Sequence, residues 1–509
     1  MLSFRVITLT IFLFCLALLT NAQSFYISSS EGNDENDGLS IQSPFRTLDK
    51  LNSLDFSSGD SIFFKSGDYW QGMFWINGSG SSMNPIVIDV YGGENKPIID
   101  GYGYQASILI FNDQNIEING LELTNSFSHI DQNISTISEQ TPNLFSIGPN
   151  NSWTSVYTAC IMGDGNNGSS QIFEINVTNL PSDEVYYRVV RTVFNGNWYF
   201  APQQTLSQGV NTIVVDEVDF DRTVKFQFSS ENVEFDEILL NNESIFEGTT
   251  KKLQGFEGSE NSWGSGKNIR FGIKVVASTQ DLENFNFNNL YIHDIYPTPN
   301  NIDNVHLGYG IKLETQSDTM SDLLNTISDV KITNTTITKT GHYGIWIKSL
   351  GLNGIDTIKN KQIYVDNCIF ENTGGSGFVP NKSENVLVQN CIFNYTGSSI
   401  DERMWKRGSG MWPFDCKNVI IQHNKFLNAR GPMDSYGAHV DYGNENVVIQ
   451  YNYSYNNEGG FAEILGDNIN CGYRYNISVN DGYREDPNGI SWNKKGKIFW
   501  ISNYCGNNT

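Results

Sequence analysis

Three acidic residues in the last fifth of the chain, Asp415, Asp441 and Glu463, end short segments that each open on glycine and then alternate. His439 lies two residues before Asp441, while Trp346 and Trp412 take the matching place in their own segments. If such segments stack as parallel strands about 4.8 Å apart, carboxylates on neighbouring strands sit about 5 Å apart, and on next-but-one strands about 10 Å. Those separations bracket the two geometries used to cleave an acetal, in which one carboxyl protonates the leaving oxygen and another attacks or activates water. Crowded like charges also raise one pKa, as a general acid at neutral pH requires. The expected catalytic set is Asp415, Asp441 and Glu463 with His439 as helper; Trp346 and Trp412 offer flat apolar faces for a sugar ring. No cofactor is required, but hard oxygen ligands at Asp434, Asp441, Glu463 and Asp467 could hold calcium. A single outward acid is usually only a solvated side chain, so the stacking of three carries the argument.

The run Asp401-Glu402-Arg403-Met404-Trp405-Lys406-Arg407 precedes one of these segments and should overhang the same column. Arg403, Trp405, Arg407 and Lys348 are expected to touch a substrate. Arg403, Lys406, Arg407 or Lys348 could also neutralise a uronate while a base removes the neighbouring proton, so elimination is the second reading of this site. A surface ion-pair cluster is the plain alternative.

Such a column needs a repeat to build it. A short β-branched or aromatic phrase ending in Asn recurs at Asn119, Asn289, Asn334, Asn367, Asn390, Asn424, Asn452, Asn476 and Asn503. From Asn289 the steps suit one coil of a solenoid, and a recurring Asn at a bend can stack as a ladder. Glycine-led strands follow at Gly272, Gly310, Gly344, Gly377, Gly410, Gly437 and Gly459. Alternation sends Ile311/Leu313, Ile345/Ile347, Phe378/Pro380, Met411/Pro413 and Ala438/Val440 inward. It sends Lys274, Lys312, Trp346, Val379, Trp412, His439 and Phe461 outward in one column. The second column reads Glu314, Lys348, Asn381, Phe414 or Asp415, Asp441 and Glu463. The fold class expected is therefore all-β, a right-handed parallel β-helix; an antiparallel sandwich would give hairpin turns rather than a repeated Asn bend.

Asn119 to Asn289 is too long for one coil. Residues 130–266 carry their own alternating stretches and read as an inserted β-sandwich-like module, either carbohydrate-binding or a spacer. The expected organisation is a leader at 1–22, an N-terminal cap and first coils at 23–129, the insert, and the main helix at 267–509. The chain stops one short strand into a coil without a polar cap, so the helix is expected to be truncated at its C-terminus.

Bulk properties narrow the partners. Arg5, the apolar run Ile7 to Leu19 and small residues up to Ala22 read as an export signal, cleaved near Ala22 to leave a secreted protein. A net charge of −24 argues against nucleic acid and anionic membranes, and no later stretch is apolar enough for membrane insertion. A polysaccharide bound by a monomer is the expected partnership. Six cysteines remain beyond Cys15, none in a CxxC pair, so buried free thiols are expected, with Cys368 and Cys391 stacked inside as apolar fillers.

Finally, Phe25-Tyr26-Ile27-Ser28, Gly32-Asn33-Asp34, Asn36-Asp37-Gly38-Leu39-Ser40 and Ser43-Pro44-Phe45-Arg46-Thr47-Leu48 precede Gly59-Asp60-Ser61-Ile62 and Lys65-Ser66-Gly67. With Tyr91-Gly92-Gly93, Lys96-Pro97-Ile98-Ile99 and the later Tyr451 to Gly460 run, they resemble the pectate-lyase-like superfamily, right-handed parallel β-helix carbohydrate-active proteins of bacterial type. The resemblance implies fold and a glycan partner. It spans hydrolases, lyases and non-catalytic adhesins, and carries over no catalytic residue. A glycoside hydrolase is the first reading, a polysaccharide lyase the second, and a binding-only solenoid the third.

Overall fold

The computed structural model describes residues 22–101, 106–126, 154–161, 169–180, 185–192, 198–200, 204–218, 224–228, 234–240, 243–252, 270–277, 280–296, 308–315, 325–349, 359–432, 434–484, 497–503 and 506–509. Residues 1–21 of the expected leader and Cys505 lie outside them. Among the described residues no helix is long and apolar enough to cross a membrane.

Each coil has three sides. In one, Leu282–Asn288 pairs in parallel with Ile327–Thr333 of the next coil, Tyr291–Tyr296 with Thr336–Thr340, and Gly308–Thr315 with Ile345–Lys348. Repetition builds a first sheet from Ser24–Ile27 to Gly472–Arg474 and a second from Tyr69–Gln71 to Ile477–Val479. The third sheet runs from Phe74–Ile76 to Phe378–Pro380 and resumes at Tyr436–Val440. Between these parts only isolated bridges join Met411 to Phe378 and Ala438, and Phe414 to Asn381. Pro413 has no amide hydrogen to give that segment a full ladder.

The inward residues form one continuous core. Ile311, Leu313, Ile345, Ile347, Phe378, Met411, Ala438 and Val440 are all buried in it. Phe370, Phe393 and Phe426 stack coil upon coil with ring centroids 4.7 and 4.9 Å apart. The leading glycines make room for them: a Cβ on Gly377 would lie 2.5 Å from the Phe393 ring, and one on Gly410 2.5 Å from that of Phe426.

The asparagine ladder differs from its sequence reading in register. Asn289, Asn334, Asn367 and Asn390 sit at the outer, left-handed corner position between the first and second sheets, with φ of 54°, 52°, 53° and 55°. His423, Tyr451 and Tyr475 take that position in later coils, at φ 57°, 56° and 56°, with stacked rings. Asn424, Asn452 and Asn476 occupy the next, inner position, buried for Asn424 and Asn452 and half-buried for Asn476, where Cys391 stands one coil earlier. There each side-chain oxygen accepts the preceding coil's amide at 2.9 Å. Similar inner ladders hold the other two corners, through Asn457 and Asp481 and through Asn444, Asn468 and Asn508. Asn503 belongs to none of these ladders, because Phe499–Ile501 just before it pairs with Gly460–Ile464 in the third sheet.

Between Glu122–Ser126 and Arg270–Ala277 the pairing changes character. Thr154–Ile161, Val224–Phe228, Tyr186–Thr192 and Trp198–Phe200 form one antiparallel sheet; Gly209–Val218, Ser169–Asn179, Glu234–Leu240 and Glu243–Lys252 form another. The coil then resumes, with Phe271 beside Ala106. This segment therefore leaves the helix at the corner between the second and third sheets. Cys368, Cys391 and Cys416 are free and buried, and Cys471 is free and half-buried.

Candidate functional site

The outer face of the third sheet positions the candidate residues. Its central column reads Trp75, Leu109, Lys274, Lys312, Trp346 and Val379 in register. The bridge from Met411 to Ala438 continues it through Trp412 to His439, which lies opposite Glu463, and Glu463 opposite Trp500. Glu463 is thus two places from its expected position: it pairs with His439, while Asp441 follows in the neighbouring column. Phe461 turns inward against Phe426 and Tyr473 instead of joining the outer column. The second glycine of Gly459-Gly460, at φ 127°, starts the strand and shifts the alternation.

The first half of the column is closed. Lys274, Lys312 and Glu314 are buried, with Glu314 ion-paired to both lysines at 3.7 and 2.5 Å. Those cations, with Lys348, hold the Glu314 carboxyl far below its ordinary value against the opposing effect of burial. Trp346 is not an open sugar platform. It is buried, stacked on Tyr309 at 5.3 Å, with the Lys312 ammonium 4.4 Å and the Lys348 ammonium 5.0 Å from its ring centre.

Past Val379 the chemistry concentrates. His439 Nδ1 lies 3.8 Å from Glu463 Oε2, and Nε2 lies 3.9 Å from Asp441 Oδ2. Burial pushes Glu463 up to about 7, with Asp434 and Asp441 adding to the rise and His439 opposing it. Burial alone would depress His439, but Asp441, Glu463 and Asp434 hold it above its ordinary value. Asp434 enters from the preceding turn and accepts from Arg407 Nε at 2.8 Å. Burial, Asp434 and Asp441 keep the Tyr343 phenol protonated. Three carboxylates therefore surround one imidazole, and their side chains are 27% (Asp434), 14% (Asp441) and 9% (Glu463) exposed, which makes the two aspartates the most reachable.

Aromatic groups line this end. Trp412 lies parallel to His439 at 5.5 Å and edge-on to Tyr343 at 6.0 Å. Trp405 meets His342 at 4.1 Å, and the Arg407 guanidinium sits 5.3 Å from the Trp405 ring centre. The 401–407 loop thus delivers Trp405 and Arg407 to the site. It does not deliver Arg403, which is ion-paired to Asp401 at 2.7 Å and lies over Tyr296.

Asp415 also departs from expectation. Phe414 holds the column position, bridged to Asn381, and Asp415 turns away at φ 50° to pair with Lys359 at 2.5 Å and Lys382 at 3.7 Å. Asp467, at φ 60°, lies in the turn after Leu465, beside Gly506. Among the described residues no three His, Cys, Asp or Glu side chains converge as metal ligands, so the four acids expected to hold calcium do not form that cage.

Sequence reading missed one column. The residue before each leading glycine also faces outward: Phe271, Tyr309, Tyr343, Ser376, Ser409 and Tyr436. Phe271 and Tyr309 pair, and Tyr436 pairs with Gly460. Each lies three places before its column partner (Tyr309 before Lys312, Tyr343 before Trp346, Tyr436 before His439), so strict alternation counted back from the column would have turned it inward.

Comparison with known proteins agrees with this architecture. A family model described as right handed beta helix region matches residues 271–477. In sequence, the chain is 21% identical over 510 aligned positions to a lacto-N-biosidase of Bifidobacterium longum subsp. longum, covering 91% of this chain and 26% of that protein. It therefore spans about a quarter of that relative's length. In structure, it is similar to the GH136 lacto-N-biosidase from Eubacterium ramulus, with TM-score 0.53, 18% identity, and coverage of 90% of this chain and 60% of the other. An alginate lyase from Paenibacillus sp. str. FPU-7 aligns at TM-score 0.42 and 11% identity, over 94% of this chain and 99% of the other. With its three-sided coil of parallel strands, the chain is a right-handed parallel β-helix.

Proposed function

We propose that the chain is a glycoside hydrolase that works outside the cell on a glycan bound at the Trp405–Trp412 end of the third sheet. The convergence of Asp434, Asp441 and Glu463 on His439 carries this reading. Asp441 protonates the leaving oxygen, with His439 between it and Glu463, whose raised pKa lets it hold a proton near neutral pH. Asp434, tied to Arg407, attacks the anomeric carbon or activates water. Trp405, Trp412 and Tyr343 enclose the sugar and exclude water.

Similarity to lacto-N-biosidases in sequence and fold supports a lacto-N-biosidase type of activity as the first to assay. The elimination reading loses support because Arg403 is paired with Asp401 and Arg407 with Asp434, so neither is placed to neutralise a uronate. A glycan panel that includes lacto-N-biosidase substrates, read by new reducing ends and by ultraviolet absorbance, tests the proposal. Reducing ends without an absorbance rise are expected. An absorbance rise with depolymerisation would replace the hydrolase with a lyase, and no turnover on any glycan would remove the enzyme reading.

A further inference from the structure

Two buried serines connect the sugar-facing tryptophan to the proton-holding histidine. The Trp412 indole N–H donates to Ser376 Oγ at 2.8 Å, and the Ser409 amide donates to the same oxygen at 3.1 Å. Ser409 Oγ in turn accepts the Tyr436 amide at 3.1 Å and lies 3.1 Å from His439 Nδ1. Both serines are buried, at 1% and 0% exposure, so water does not compete for these bonds. The result is a closed circuit of three coils: Trp412 and His439 are held face to face within 11° of parallel, with the serines bridging them behind.

From this circuit we infer that Ser409 is a positioning residue, which fixes the His439 ring so that one nitrogen addresses Asp441 and the other Glu463, in register with the Trp412 platform. The inference rests on the proposed reading of the site, but the ring geometry stands independently of it. Ser409 Oγ accepts from Nδ1–H when the imidazole is charged, and the Tyr436 amide orients the hydroxyl oxygen. The groups facing His439 are Asp441 on its own strand, Glu463 from the next coil, Asp434 and Tyr436 from the turn and strand before it, and the Trp412 ring. Arg407 and Lys497 stand behind Asp434 and Glu463 respectively. Removing the Ser409 hydroxyl leaves these side chains in place and takes away two contacts of its oxygen, the one to Nδ1 and the one to the Tyr436 amide.

The test uses Trp412 as its own reporter, because a protonated imidazole stacked on an indole quenches its fluorescence. In the intact chain, a pH-dependent quench should be present that is absent from Trp412→Phe and from His439→Gln. Ser409→Ala should lower the midpoint of that quench by about one pH unit, the size expected for losing a hydrogen bond to a charged group. The same variant should move the corresponding limb of the kcat/KM profile by a similar amount. Ser376→Ala, which frees the indole but leaves Ser409 on the imidazole, should reduce the amplitude of the quench and leave its midpoint in place. A Ser409→Ala midpoint that stays fixed or rises overturns the inference. If Ser409→Ala does not fold, an unreduced Ser376→Ala amplitude overturns it instead. A shifted quench with no turnover on any glycan would keep the positioning role and remove only the hydrolase.

Discussion

Glu463 and His439 lie opposite each other on adjacent coils, with the carboxylate 3.8 Å from Nδ1, and burial holds Glu463 at a pKa of about 7. An unfolded Glu titrates near 4.3, so the folded chain binds the extra proton between those values. Stability from this group is therefore full below about pH 4 and is lost as pH rises through about 7, by on the order of 3 kcal/mol. Glu463→Gln should melt like the parent at low pH and above it at pH 8, read by thermal unfolding at both. A variant that melts below the parent at high pH would contradict the assignment.

The two loop arginines should behave differently. Arg407 grips Asp434, whereas Arg403 is occupied by Asp401 and Tyr296 away from the carboxylates. Arg407→Ala should lower kcat/KM by about 10²-fold, the scale of a displaced catalytic group, and Arg403→Ala should change it less than about threefold. Steady-state kinetics on a confirmed substrate separates them.

Position within the asparagine corner sets the cost of losing it. Asn452 accepts both the backbone and the side-chain amide of Asn424 and donates to the Ile421 carbonyl at 2.9 Å in a buried corner. Asn452→Ala removes the acceptor of the buried Asn424 amide and a donor to the Ile421 carbonyl, and should cost about 2–4 kcal/mol. Asn390→Gly, at an outer left-handed position, should stay within about 0.5 kcal/mol. Urea unfolding reads both.

On the second sheet, His293 lies between Asp294 at 2.7 Å and Glu122 at 3.0 Å. Although burial opposes it, these two carboxylates raise its pKa above the ordinary value. This clasp stabilises the fold below the unfolded histidine's pKa and is lost as pH rises through the folded one. His293→Gln should therefore destabilise at pH 5.5 more than at pH 9, as measured by melting temperature.

The period-2 alternation and the glycine-led phrases made the coil, its core and the outer column legible, because burial on one face constrains every second residue. Register was less legible. The asparagine corners contain an outer and an inner position one residue apart, and side-chain type alone does not separate them: Asn390 takes one and Asn424 the other. Asp415 was misplaced for a related reason. A carboxylate next to a column position reads as a member of it until Lys359 and the left-handed turn draw it away. Asp434 had the opposite fate: it precedes its strand, and only Ser435 at φ 79° brings the turn to the site.

The most direct test replaces Asp434 and Asp441 singly with Asn in chains that melt as the parent does, and measures reducing-end release. Each variant should lose at least about 10²-fold in kcat, the contribution of a positioned acid or base. Turnover within a few-fold of the parent in either variant would contradict the carboxylate site around His439.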